Sequence, residues 1–205
     1  MNSNNTTKFP SKGEYLETIL RSTQTVFSTE DAALLWGEAS RDTISHRLDK
    51  YVSKGKLLRL HRGLYAKDDQ YNPLELATRI YKPSYVSFET VLTTSGINFQ
   101  FYSSIFVASY VNRELQVGKQ HIIFVRMKGY VLRDITGIEH YDGFAIATPE
   151  RAFLDRLYVS KNYHFDNLTV LNWDKVFEIL PIYHNKRMTR AVNKYYKQHK
   201  VEESA

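Results

Sequence analysis

Between Arg41 and Lys67 the chain carries eight basic residues (Arg41, Arg47, Lys50, Lys54, Lys56, Arg59, Arg62 and Lys67) against two acidic ones, Asp42 and Asp49. That local excess of +6 equals the formal net charge of the whole 205-residue chain. Interleaved with the cations are Thr43, Ser45 and His46, whose side chains donate and accept hydrogen bonds. Ammonium and guanidinium groups neutralise phosphates, and Arg makes bidentate contacts with guanine, so this residue set suits the backbone and base edges of double-stranded DNA. Arg41, Thr43, Ser45, His46 and Arg47 are the candidate groove contacts, with Arg47 the candidate for a guanine. Lys50, Lys54, Lys56, Arg59 and Arg62 are the candidate phosphate contacts.

A second basic block, Lys186, Arg187, Arg190, Lys194, Lys197 and Lys200, meets no acidic residue until Glu202. On its own it reads as a solvated helix face. Tyr195 and Tyr196 beside Lys194 and Lys197 could stack on nucleic acid, although such rings more often pack inward.

Catalytic chemistry has little to stand on. Cysteine is absent, which excludes disulfides, thiolate metal sites and a cysteine nucleophile. His140, Glu150, Asp155, His164, Asp166 and His184 lack the ligand spacing of a zinc protease or a structural zinc site. There is no GxSxG, no phosphate-cradling glycine loop and no dinucleotide fingerprint. Arg151 and Asp155 read as an i, i+4 ion pair on a helix surface, Glu150 as a favourable charge at a helix N-terminus, and the His164 to Asp166 stretch as a loop. No enzyme activity, metal or cofactor is expected. With neither an apolar leader nor a run of eighteen apolar residues, a cytoplasmic protein without membrane partners is expected.

Residues 1–10 are polar and expected to be disordered. Tyr15, Leu16, Ile19 and Leu20 recur at helical spacing, so a helix is expected over 11–21. Ser28 with Asp31 is a capping pattern for a second helix ending at Gly37. Ser40 caps a third, whose apolar face is Ile44, Leu48, Tyr51 and Val52 and whose end is marked by Gly55. Two short strands, 56–60 and 63–66, then form a basic hairpin. Three helices followed by such a hairpin are the parts of a winged helix-turn-helix, expected over 11–67.

A polar connection through 67–72 leads to a second domain, 72–200. Asn72, Pro73 and Glu75 open its first helix, Ser87 caps another, and strands follow from 103 to 133 with turns at Gly118-Lys119 and Lys128-Gly129. A strand over 144–147, a helix opened by Thr148-Pro149-Glu150, and helices over 173–180 and 186–198 complete it. The expected class is α+β, a winged helix-turn-helix followed by antiparallel strands packed with helices.

Four segments taken together resemble the AbiEi antitoxin family: Ser28-Thr-Glu-Asp-Ala-Ala-Leu-Leu-Trp36, Lys54 to Ala66, Pro83-Ser-Tyr-Val-Ser-Phe-Glu-Thr-Val-Leu92, and Ala147-Thr-Pro-Glu-Arg-Ala-Phe-Leu-Asp155. The likeness runs from about Tyr15 to Tyr196, and the last two segments are its most specific part. It implies an antitoxin of a type IV toxin-antitoxin system. The first domain would repress its own operon at promoter repeats, and the second would counteract a nucleotidyltransferase-like toxin, directly or indirectly. The toxin-neutralising residues are unknown, because the matching C-terminal segments look like caps and core positions. The alternative is a stand-alone transcriptional regulator whose second domain senses a ligand or dimerises.

Overall fold

A computed structural model describes residues 9–11 and 13–202. The chain divides after Ile80 into two compact units. The disorder expected over 1–10 falls, for residues 1–8, outside the described residues. Phe9 is placed, with its ring so close to Gly37 that a Cβ there would lie 2.4 Å from it.

The first unit contains α1 (Tyr15–Arg21), β1 (Val26–Ser28), α2 (Thr29–Trp36), α3 (Arg41–Ser53), β2 (Leu58–His61), β3 (Leu64–Ala66) and α4 (Pro73–Ile80). Its helices begin and end where side chains and glycines satisfy the backbone. Ser28 and Asp31 form a reciprocal capping box at α2, and the Gly37 that closes this helix has φ +64°, open to glycine without strain. The Ser40 side chain accepts from the Thr43 amide at the start of α3. Tyr15, Ile19, Ala32, Trp36, Ile44 and Leu48 from the three helices meet Phe27, Leu57 and Tyr65 in one core. Each large apolar side chain buried there stabilises the unit by about 1.5–3 kcal/mol. The Trp36 indole N–H donates to the Tyr15 carbonyl at 2.9 Å, which locks α2 onto α1.

The hairpin of β2 and β3 forms as expected, and β3 also pairs antiparallel with β1, giving the order β1-β3-β2. α4, which the sequence placed at the head of the second domain, belongs to this unit. The buried Glu75 carboxylate accepts from the amides of Thr25 and Val26, each at 2.8 Å, and so satisfies the outer edge of β1. Arg79 pairs with Asp31 of the capping box, tying α4 to α2. Charged groups placed this way fix where a helix docks, which an apolar contact alone does not.

The second unit holds β4 (Tyr85–Val86), α5 (Glu89–Thr94), β5 (Ile105–Ser109), β6 (Arg113–Val117), β7 (Gln120–Arg126), α6 (Gly129–Arg133), β8 (Ile138–Tyr141), β9 (Phe144–Ala147), α7 (Pro149–Val159), α8 (Trp173–Ile179), a 3-10 turn (Leu180–Tyr183) and α9 (Lys186–Glu202). The class is α+β. The sheet, however, is mixed rather than antiparallel, in the order β6-β7-β5-β4-β9-β8, because β7 returns parallel to β5 and β4 lies parallel to β9. The turn at Gly118 is present between β6 and β7, whereas Lys128 and Gly129 open α6 instead of reversing a strand. Ser87 does not cap α5: Phe88 precedes that helix at φ +54°, and the Ser87 hydroxyl is engaged elsewhere. Thr148 and Pro149 start α7 as expected, the Thr148 oxygen accepting from the Arg151 amide. No described helix is long and apolar enough to cross a membrane.

Candidate nucleic-acid interface

α3 carries two faces because its residues advance by about 100° each. Ile44 and Leu48 point into the core, with Tyr51 and Val52 packed at its edge. Thr43, His46, Lys50 and Ser53, spaced i, i+3, i+7 and i+10, therefore run along the opposite side; His46, Lys50 and Ser53 are exposed and Thr43 is half-buried. Ser45 and Arg47 fall on the flanks and are half-buried.

The structure separates the candidate cations into two sets. Arg47 has its Cζ 4.4 Å from the Tyr15 ring centroid and its Nη1 3.5 Å from a Glu38 oxygen, so its guanidinium is held against the first helix. Arg41 is exposed and pairs with Glu30 at 2.7 Å. Arg59 reaches Asp49 at 3.3 Å, and the same Asp49 oxygen accepts from the Tyr65 hydroxyl at 3.0 Å. Lys50, Lys54, Lys56 and Arg62, all exposed, have no ion-pair partner among the described residues. These exposed cations fall, in chain order, on the outer face of α3, in the turn that follows it and at the hairpin tip.

Charge compensation explains the division. Counted in sequence, the 41–67 excess is +6, but Glu30 and Glu38 lie before the segment and fold back onto Arg41 and Arg47. Neither partner is visible from the local count. His61, exposed at the end of β2 next to Arg62, adds a hydrogen-bonding side chain to the hairpin that a count of cations omits. Gly63, at φ +72°, lets the chain reverse after Arg62, and its carbonyl accepts from the Thr29 amide at 3.3 Å. The hairpin is thereby anchored to α2 while β2 remains an exposed edge, whose charges discourage pairing with another strand.

The C-terminal segments that carry the family resemblance converge on a buried polar cluster. Asp155 is fully buried and accepts from Ser87 Oγ at 2.8 Å, from the hydroxyls of Tyr85 at 3.0 Å and Tyr183 at 2.7 Å, and from Arg151 Nε at 3.3 Å. Arg151 also donates to the carbonyls of Thr136 at 2.7 Å and Val131 at 2.8 Å. The Arg151–Asp155 pair is therefore not on a helix surface, as its spacing had implied, but at the centre of the unit. Burial pushes the Asp155 carboxyl upward, against the opposing pull of Arg151 and the three hydroxyls. Burial likewise raises the Tyr85 and Tyr183 hydroxyls well above the ordinary tyrosine value, with Asp155 adding to the effect. Sealed from solvent, this cluster binds α7 to β4, the 3-10 turn and the loop after α6.

Glu150 is buried at the start of α7, where its carboxylate accepts from the Asn172 amide at 3.1 Å and so also fixes the start of α8. His164 and Asp166 stay in a loop, 3.6 Å apart, and no group of three or more potential metal ligands assembles among the described residues.

No protein-family model matches the chain, and no curated protein matches it.

Proposed function

We propose that the first unit is a winged helix-turn-helix that binds double-stranded DNA, with α3 as the recognition helix and the β2–β3 hairpin as the wing. The observation that carries this reading is a set of exposed cations without ion-pair partners among the described residues, Lys50, Lys54, Lys56 and Arg62, of which Lys50 shares the Thr43 and His46 face of a core-anchored helix. Thr43 and His46 are placed to meet base edges, and the four cations to meet phosphates. Arg41 and Arg59 join them by exchanging exposed partners, since surface ion pairs contribute only about 0–1 kcal/mol.

The wider reading is an antitoxin of a type IV system. It represses its own operon through the first unit, and its second unit counteracts a nucleotidyltransferase-like toxin. The division into two compact units supports two separate tasks, and the four segments resembling AbiEi antitoxins supply the identity of the second.

A growth assay tests it. The neighbouring reading frame is expressed alone, with the full chain, and with a Lys50→Glu/Arg62→Glu variant, while a reporter follows the chain's own promoter. Rescue by both proteins, with repression lost only in the variant, is expected. Absence of toxicity, or of rescue by the wild-type chain, would overturn the antitoxin assignment and leave a DNA-binding regulator.

A further inference from the structure

α9 buries Met188 and Val192, with Tyr195 and Tyr196 packed among Phe153, Phe165, Trp173 and Phe177. Its opposite side presents Lys186, Arg190, Lys194 and Lys197, spaced i, i+4, i+8 and i+11, all exposed and none ion-paired with a described residue. This arrangement opposes the helix that bears it. Like charges four apart repel, and no acidic residue offsets Lys186, Arg187 and Arg190 at the positive end of the helix dipole. A polyanion lying along the face would relieve both penalties.

The adjoining surface says which polyanion. Lys161, Tyr163, His164, Lys194, Tyr195 and Gln198 line an open groove of about 540 Å³ between α9 and the loop before α8. The Tyr195 hydroxyl donates to the Tyr163 carbonyl at 2.6 Å, which holds that loop on the helix. On the loop's other side, the Asp166 and Asn167 amides each donate to the Ile97 carbonyl at 3.0 Å, and the Phe99 amide donates to Asp166 Oδ2 at 2.8 Å. Phe99, its amide fixed in this way to the loop that lines the groove, is 72% exposed, and Phe101, two residues on, is 81% exposed. Of the acids in this loop and on α5, Asp166 accepts from the Phe99 amide and Glu89 pairs with Arg156.

We propose that the cationic face of α9, its groove and the Phe99–Phe101 loop form a binding surface for single-stranded nucleic acid. Lysines and Arg190 meet phosphates, and the exposed rings stack on unpaired bases. A duplex keeps its bases stacked internally and offers those rings nothing. A membrane surface is disfavoured because the apolar side of α9 is already covered by its own unit.

The test is fluorescence anisotropy of the full chain with labelled rU12, dT12 and a 12-base-pair duplex. Either single strand should bind with a log–log salt slope of about −3, as expected for four neutralised phosphates. A preference for rU12 would assign RNA, and equal affinity a site reading phosphate and base alone; both support the proposal. Lys194→Glu with Lys197→Glu should weaken single-strand binding about tenfold or more. Phe99→Ala with Phe101→Ala should weaken it about fivefold or more. Neither pair should lower the melting temperature, since all four side chains are exposed. The Lys50→Glu/Arg62→Glu variant should bind single strands like wild type, which keeps this result separate from the DNA-binding reading of the first unit. No single-strand binding, unchanged affinity in either α9 or loop variant, or polyglutamate competing as well as rU12 would each overturn the proposal.

Discussion

The guanidinium of Arg47 stacks on the ring of Tyr15, with Cζ 4.4 Å from the centroid, and Tyr15 in turn packs against Trp36. A residue whose charge type marks it for a DNA base is thus also part of the seam between α1 and α3. Arg47→Ala is expected to lower stability by about 0.5–1 kcal/mol through the lost cation–π contact. It should leave the salt dependence of duplex binding nearly unchanged. Thermal melting and binding isotherms at several salt concentrations check this. A drop in the salt slope with unaltered melting would show that Arg47 works on phosphate instead.

Glu75 makes 73–80 a working part of the first unit. Glu75→Gln keeps the side-chain shape but weakens the charge-assisted hydrogen bonds from the Thr25 and Val26 amides at the head of β1, and a loss of about 1.5–3 kcal/mol is expected. Chemical denaturation of chains ending at 67 and at 80 makes the same point. The longer chain should unfold cooperatively and at higher denaturant.

In the second unit, Asp155→Ala removes one partner of a fully buried pair and leaves Arg151 uncompensated. Destabilisation of about 3–5 kcal/mol is expected. Tyr183→Phe, which deletes one of the donors to Asp155, should be milder, near 1–2 kcal/mol on the usual scale of about 1–3 kcal/mol for an unsatisfied buried group. Equal effects from the two would argue against Arg151–Asp155 as the centre of the cluster.

Alkaline pH offers a separate handle. Burial pushes Tyr163 up to about 12, with Glu89 contributing, and Tyr158 up to about 12, with Tyr130 contributing. A tyrosine with a raised folded value holds its proton more tightly in the folded state. Its contribution is complete below the ordinary value near 10 and is lost as pH climbs from there through about 12. Ultraviolet titration should show exposed tyrosines ionising first and the buried set ionising together with unfolding above that range. Complete, reversible ionisation of all fifteen near pH 10 would contradict the burial.

Much of the first unit was legible because its signals are local. Ser28, Ser40, Gly37 and Gly55 mark helix ends through bonds within a few residues, and the i, i+4, i+7 spacing of Ile44, Leu48 and Tyr51 identifies the buried side of α3. β1 escaped notice because three residues give too little pattern, and its existence depends on β3, about forty positions later. The docking of α4 rests on Glu75 and Arg79 reaching residues about fifty positions earlier, which no periodicity encodes. Parallel pairing of β5 and β7 is equally non-local, since alternation fixes which face a residue takes but not a strand's direction. At the candidate interface, the sequence identified the cations but not their pairing. Glu30 and Glu38 remove Arg41 and Arg47 from the free set only after folding.

DNA binding by the α3 and hairpin surface is tested most directly by the salt dependence of binding to duplex DNA from the chain's own promoter. The full chain is compared with Lys50→Ala, Lys56→Ala and Arg62→Ala between about 50 and 200 mM salt. The wild-type affinity should fall steeply, and each substitution should reduce the log–log slope by about one while weakening all sequences alike. A flat response in the wild-type chain, or three variants whose slopes match it, would contradict the assignment.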